Sequence, residues 1–250
     1  MSIKRVGMVV PSLNTIAEDD CRRFLPADVG YHVHRVRLRK TAGKVTWEAL
    51  QEASRESIVQ STMLADADVD AIAFNCTGAS ITGGPEGAAR LAEEIAAATA
   101  TPSTTTAVAM VAALRAVGAR RIVHVCPFTP EFSDDEAAFF RDAGFDVVTS
   151  RGLGFTDAKV AAHMSPGELF DAVRPLDSAD ADALFLACAN VRAMEAIAPL
   201  EELLGKPVVS SNQAVIWALL RLVGRDDQVE GGGSLFTKPA VPDARAPLMA

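Results

Sequence analysis

The chain has 250 residues, 49% of them hydrophobic, and a formal net charge of −8. That is enough for one large domain or two small ones around a substantial core. The acidic balance speaks against nucleic acid or an anionic membrane as the main partner, but leaves room for a small anion in a locally positive pocket. No apolar stretch reaches 18 residues, so no membrane-spanning helix is expected. Only a short apolar run precedes Pro11, so no export signal is expected either. A cytoplasmic location with reduced thiols follows.

In chain order, a strand at Arg5–Val10 ends at Pro11 and runs into Ser12, Leu13, Asn14 and Thr15. Cys21 lies in a helix-like segment. A second strand is expected at His32–Leu38, where Arg35, Arg37 and Arg39 alternate and mark an exposed edge or a site. Lys40 and Lys44 follow in a loop that suits a lid. From Thr46 to Ala65, the residues Trp47, Leu50, Ser54, Ile58 and Ala65 keep one helix face. The strand Ala71–Phe74 stops at Asn75, Cys76, Thr77 and Gly78. Helices are expected at Glu86–Ala98 and Ala107–Val117, the second stopped by Gly118. The strand Arg121–Val125 leads into Cys126, Pro127, Phe128 and Thr129.

A helix follows over Phe132–Ala143, then a strand at Asp146–Thr149. Ser165, Pro166 and Glu168 occupy N-cap, N1 and N3 of a helix reaching about Val173. The strand Ala183–Ala187 ends at Cys188, followed by Ala189 and Asn190. Pro199 is expected to begin a short helix ending at Gly205. A strand at Pro207–Ser210 and a helix at Gln213–Leu222 complete the pattern. Glu230–Ser234 (EGGGS) reads as a flexible connection, and residues 237–250 as a Pro- and Ala-rich tail, either disordered or a dimer arm. Strands that are apolar throughout, alternating with helices, define an α/β fold with parallel strands covered on both faces.

The chain also repeats itself. Asp68–Cys76 (DVDAIAFNC) matches Asp180–Cys188 (DADALFLAC), and Val6–Asn14 matches Ile122–Pro130 with Pro11 opposite Pro127. Thr101–Gly118 matches Lys206–Gly224, and Gly30 matches Gly144 at the start of similar runs. Four matches in one order indicate duplicated lobes. Ligands of open α/β sheets bind at the carboxyl ends of strands. Two facing lobes would therefore bring Cys76 and Cys188 to one cleft, although either cysteine alone reads equally as a small packed hydrophobe.

A thiol pair across a planar carbon can move a proton without a cofactor, one as thiolate base and the other as thiol acid. Carboxylate-binding candidates are Ser12 and Asn14, Asn75 and Thr77, and Ser211 and Asn212, each of which suits helix capping as well. The four histidines are scattered and form no triad with the cysteines. No dinucleotide or phosphate-loop motif is present and no metal-ligand spacing, so neither cofactor nor metal is expected.

These features together resemble the aspartate/glutamate racemase superfamily, in its maleate cis–trans isomerase and arylmalonate decarboxylase branch. The resemblance runs from VGMVVPSLNT to GKPVVSSNQAVIWALLRLVG, with PSLNT similar to a Pro-Ser-Ser-Asn-Thr loop. It implies two pseudo-symmetric flavodoxin-like lobes with the active site between them, and a homodimer or larger homo-oligomer. The lobes would be residues 1–118, joined by 210–236, and residues 119–209. It implies Cys76 as nucleophile or base, Cys188 as acid and Asn14 as carboxylate ligand, with Phe128, Thr129, Ala189 and Asn190 also against the substrate. A cysteine at position 76 argues against decarboxylation, because the decarboxylases usually lack it.

One departure concerns the substrate. The branch carries a Tyr where this chain has Phe128, so either Thr129 supplies the hydroxyl or the second substrate group is less polar than a carboxylate. The resemblance thus implies maleate-type isomerisation of a small carboxylate. Amino-acid or hydantoin-type racemisation, decarboxylation and non-catalytic ligand binding are the alternatives.

Overall fold

The computed structural model describes residues 3–41 and 44–240. The elements are β1 (Lys4–Pro11), α1 (Ala17–Phe24), β2 (Val29–Val36), α2 (Trp47–Ala65), β3 (Ala71–Phe74), α3 (Thr77–Ser80), α4 (Gly84–Thr99), β4 (Ser103–Thr105) and α5 (Thr106–Ala116). Their counterparts are β5 (Arg121–Cys126), α6 (Pro130–Asp142), β6 (Asp146–Gly152), α7 (Ala158–Ala161), α8 (Pro166–Val173), β7 (Ala183–Leu186), α9 (Met194–Leu204), β8 (Val208–Ser210) and α10 (Ser211–Leu222).

The duplication is visible in the sheets. One has the order β2-β1-β3-β4 and the other β6-β5-β7-β8. Every pair in both is parallel. The central strands carry the fully apolar runs: Ala71–Phe74 and Ala183–Leu186 are buried throughout. Such strands need cover on both faces, and the helices supply it. α10 packs on α5, β3 and β4 as well as on its own β8, so the last helix of one repeat lies against the other repeat.

Four differences from the sequence reading have physical causes. The strand β4 reads as a polar loop, because its residues are Ser-Thr-Thr. Thr104 and Thr105 are nevertheless buried, and the Thr105 hydroxyl accepts from Val108 N at 3.3 Å to cap α5. The strand β2 starts at Val29 rather than His32, and Arg35 spans from this edge strand to Asn14 O at 2.8 Å and to Glu18. Pro199 lies inside α9 instead of starting it. An interior proline costs ~3 kcal/mol, and here burial of Met194, Ala196, Ile197 and Leu200 along one face opposes that cost.

The expected flexible connection at residues 230–234 is docked instead. Gln213 Nε2 donates to Gly232 O at 2.7 Å, and Ser234 N and Oγ donate to the Glu201 carboxylate at 2.8 and 2.7 Å. Leu235 and Phe236 then bury. Gly233, at φ +80°, makes the turn possible, since a Cβ there would lie 2.4 Å from Ile197 Cγ2. Of the tail, residues 241–250 lie outside the described residues, as do residues 42 and 43 of the suggested lid. No helix of the described residues is long and apolar enough to cross a membrane.

Candidate active site

The carboxyl ends of both sheets open onto one cavity of about 350 Å³, a volume suited to a small ligand. The loops after β1, β2 and β3 and those after β5, β6 and β7 all line it. β3 delivers Cys76, Thr77 and Gly78, and β7 delivers Cys188, Ala189 and Asn190. β1 and β5 deliver Asn14, Phe128 and Thr129. Both expected sulfurs thus reach a common space.

The two thiols have parallel surroundings. Cys76 is buried and Cys188 half-buried. Burial pushes the Cys76 thiol up to about 12, opposed by a hydrogen bond from the Ala79 backbone and reinforced by the charge of Glu136. Burial likewise pushes Cys188 up to about 12, opposed by the Asn190 backbone and reinforced by Glu136 and Cys76. The Asn190 N–H lies 3.4 Å from Cys188 Sγ. Each sulfur is therefore a thiol at neutral pH, with one amide N–H placed to stabilise the thiolate when it forms. Cys21 and Cys126 are 1% exposed, lie off the cavity wall, and are pushed still higher by burial.

The remaining expected residues divide into a lining and a backing layer. Asn14 Oδ1 accepts from Ile16 N and Ala17 N, both at 2.9 Å, while its Nδ2 donates to Ala189 O at 2.9 Å. An amide nitrogen has two hydrogens, so one remains for a ligand. Asn190 Oδ1 accepts from Thr15 N at 2.8 Å, and its Nδ2 donates to Ala158 O at 3.1 Å. Asn75, Ser211 and Asn212 are fully buried behind the wall rather than on it. Asn75 Nδ2 donates to Asn212 Oδ1 at 2.9 Å, and Thr77 Oγ1 donates to Ser211 Oγ at 3.0 Å. Asn212 Nδ2 reaches Ala189 O at 3.1 Å. This polar layer ties the two cysteine-bearing turns to one another. Ser12 accepts from Leu38 N at 3.1 Å and does not line the cavity.

Other lining residues were not singled out in the sequence. Leu13, Leu38, Leu50, Phe132 and Phe155 join Phe128 to make most of the wall apolar. Trp47 stacks on Phe132 at 5.0 Å and donates to Asp135 Oδ2 at 3.0 Å, closing α2 against α6. Lys40, from the suggested lid, meets both Asp157 oxygens at 3.0 Å and so bridges the loops after β2 and β6 across the mouth. The Phe128–Thr129 turn is held close to β6, where a Cβ on Gly152 would fall 2.6 Å from Thr129 O.

Glu136 also lines the cavity, although it is only 2% exposed. It hides in a run of acidic residues that reads as a solvated helix face. The available signal was the spacing of Ser133, Glu136, Ala137 and Phe140, which puts the acid on the inward stripe of α6. Among the described residues, no group of three His, Cys, Asp or Glu side chains is arranged to hold a metal.

The model of a family described as arylmalonate decarboxylase matches residues 6–236 of this chain. A maleate isomerase from Geobacillus stearothermophilus is 28% identical over 247 residues, covering 93% of this chain and 97% of that protein. The crystal structure of a cysteine-to-alanine variant of maleate isomerase from Pseudomonas putida S16, with maleate, superposes with a TM-score of 0.85 at 28% identity, covering 96% of this chain and 99% of that one. A cysteine-to-serine variant of Nocardia farcinica maleate cis–trans isomerase, with a covalently bound succinylcysteine intermediate, also gives 0.85, at 26% identity over 94% and 98%.

Proposed function

We propose that this chain, which belongs to the arylmalonate decarboxylase family, is a cofactor-independent isomerase that acts on a small carboxylic acid through Cys76 and Cys188, by maleate-type cis–trans isomerisation. The observation that carries the reading is the thiol pair: two sulfurs from equivalent strand ends, on one cavity, each beside a backbone N–H. The covalent succinylcysteine of the similar Nocardia enzyme supports a thiol that adds to carbon.

The chemistry follows from these residues. The free N–H of Asn14 holds the substrate carboxylate. Cys76, as thiolate, adds to one alkene carbon, and the π pair moves to the adjacent carbon, where the carboxylate delocalises it. Cys188 protonates that carbon, and the proton given up by Cys76 replaces the one Cys188 donated. The former double bond is now single and rotates. The steps then reverse: Cys188 returns its thiol proton towards Cys76 and, as thiolate, takes the proton from carbon, the C–S bond breaks with its electron pair on Cys76, Cys76 regains its proton, and the trans acid leaves with no net change in protons. Apolar walls keep water from the carbanionic stage.

Maleate incubated with the protein and followed by proton NMR should give fumarate. Cys76→Ser and Cys188→Ser should each lower the rate ~100-fold or more. Conversion that persists in both variants would remove the thiol pair from the mechanism. Racemisation by the same pair predicts instead solvent deuterium at the α-carbon of an amino acid, with maleate untouched.

A further inference from the structure

Asp20 lies nine residues after Pro11, and Glu136 lies nine residues after Pro127. The duplication therefore sets a carboxyl at the same place in the first helix of each repeat, and both are 2% exposed. A buried carboxylate is costly unless its oxygens find donors. Asp20 finds one: Asn212 Nδ2 donates to it at 2.6 Å, and Asp20 stays off the cavity wall. Glu136 does not. Its Oε2 is sealed from solvent, faces His124 and accepts no hydrogen bond, while the residue itself lines the cavity. His124 Nε2 is 3.3 Å from that oxygen, out of line for a hydrogen bond and likewise without a partner. The other ring nitrogen of His124 is engaged with Ser150 Oγ at 3.1 Å.

The other charged lining residues are Lys40, Lys44, Glu131 and Asp157, each at least partly exposed, so Glu136 is the fully buried charge among them. We propose that Glu136 determines specificity: it makes the site take an acid with a single carboxylate and a hydrogen-bond donor, such as an amide or hydroxyl, in preference to a dicarboxylate. This rests on the reading that substrate binds between Cys76 and Cys188. A second substrate carboxylate would face a like charge in a wall that excludes water. An N–H or O–H would instead hydrogen-bond the carboxylate. Phe128 acts in the same direction, since its ring offers a second carboxylate no hydroxyl. Glu136 lines the same cavity as both sulfurs, and its charge raises both thiols.

Saturated acids test the selection without turnover. Calorimetric titration should show succinamate binding ~10-fold or more tighter than succinate, because an unmatched buried polar group discriminates strongly. In Glu136→Gln, whose neutral amide both donates and accepts, the preference should shrink to within ~3-fold, mainly through tighter succinate binding. Succinate binding to the wild type as tightly as succinamate would overturn the proposal, as would binding of neither acid, or a Glu136→Gln change that moves both equally. The wild-type ratio decides the matter if the variant does not fold. Turnover of maleate and maleamate separates this proposal from the one beneath it. Maleate preferred over maleamate sinks the selection and leaves the isomerase standing. Selective binding with no Cys76-dependent turnover of either acid sinks the isomerase and leaves the selection.

Discussion

Cys76 and Cys188 end equivalent strands, yet their backbones differ. Cys76 sits at φ −148°, an extended conformation, and leads directly into the short helix α3. Cys188 sits at φ +89°, a region that side chains rarely occupy, and the next helix, α9, begins only at Met194. A strained non-glycine residue persists only where its surroundings hold it. Here Ala189 O is held by both Asn14 and Asn212, and Asn190 by Thr15 and Ala158. Duplication supplied two thiols, and divergence after the strands gave one a covered, relaxed position and the other a half-open, strained one. That asymmetry suits the roles proposed for them: a shielded nucleophile and an acid that reaches the adjacent carbon.

The sharpest way to break this comparison is alkylation. Cys188, half-buried, should react with iodoacetamide ~10-fold or more faster than the covered Cys76, with Cys21 and Cys126 slower again. Both lining thiols are pushed up to about 12. Their labelling should therefore climb about tenfold per pH unit from neutral upward. Equal rates at all four cysteines, read by peptide mass spectrometry, would erase the distinction.

A second contrast concerns the carboxyl of the first repeat. Burial raises Asp20 from 3.8 to about 7, with the Asn212 hydrogen bond opposing. A carboxyl with a raised folded value holds its proton better folded than unfolded. Its contribution is therefore complete below pH ~4 and is lost as pH rises towards 7, by at most ~4 kcal/mol. Urea midpoints of the wild type should fall between pH 4 and 7 relative to Asp20→Asn. A flat difference across that window would show that Asp20 keeps its charge.

The smallest effect is conformational. Glycine accepts φ +89° freely, so Cys188→Gly relieves strain that Cys76→Gly does not. Cys188→Gly should be more stable than Cys76→Gly by at least ~1 kcal/mol, measured by thermal unfolding. The reverse order would mean that the Cys188 backbone is not strained.

Much of this architecture was legible in the sequence because the duplication is written in apolar strands, whose burial leaves little freedom of composition. Cys76 and Cys188 could be placed for the same reason: each stands where such a strand stops. The polar half of the site was harder to read. Asn14, Asn75, Ser211 and Asn212 all attract attention as helix-start residues, but only the tertiary packing decides that Asn14 faces the cavity while the other three brace it from behind. Phe132 and Leu50 belong to helices whose apolar stripe has two duties, core and cavity wall, and periodicity cannot separate them. Glu136 shares its run with Asp134 and Asp135, which are exposed, and a charge that follows two solvated charges gives no sign of its own burial.

The most direct test of the thiol-pair chemistry is to trap it. Cys188→Ser incubated with maleate, and in parallel with maleamate, should be digested and its cysteine peptides weighed. A mass gain of one intact acid on the Cys76 peptide, absent from the Cys21 and Cys126 peptides, is the predicted result. Unmodified Cys76 in a variant that still isomerises the acid would contradict the account.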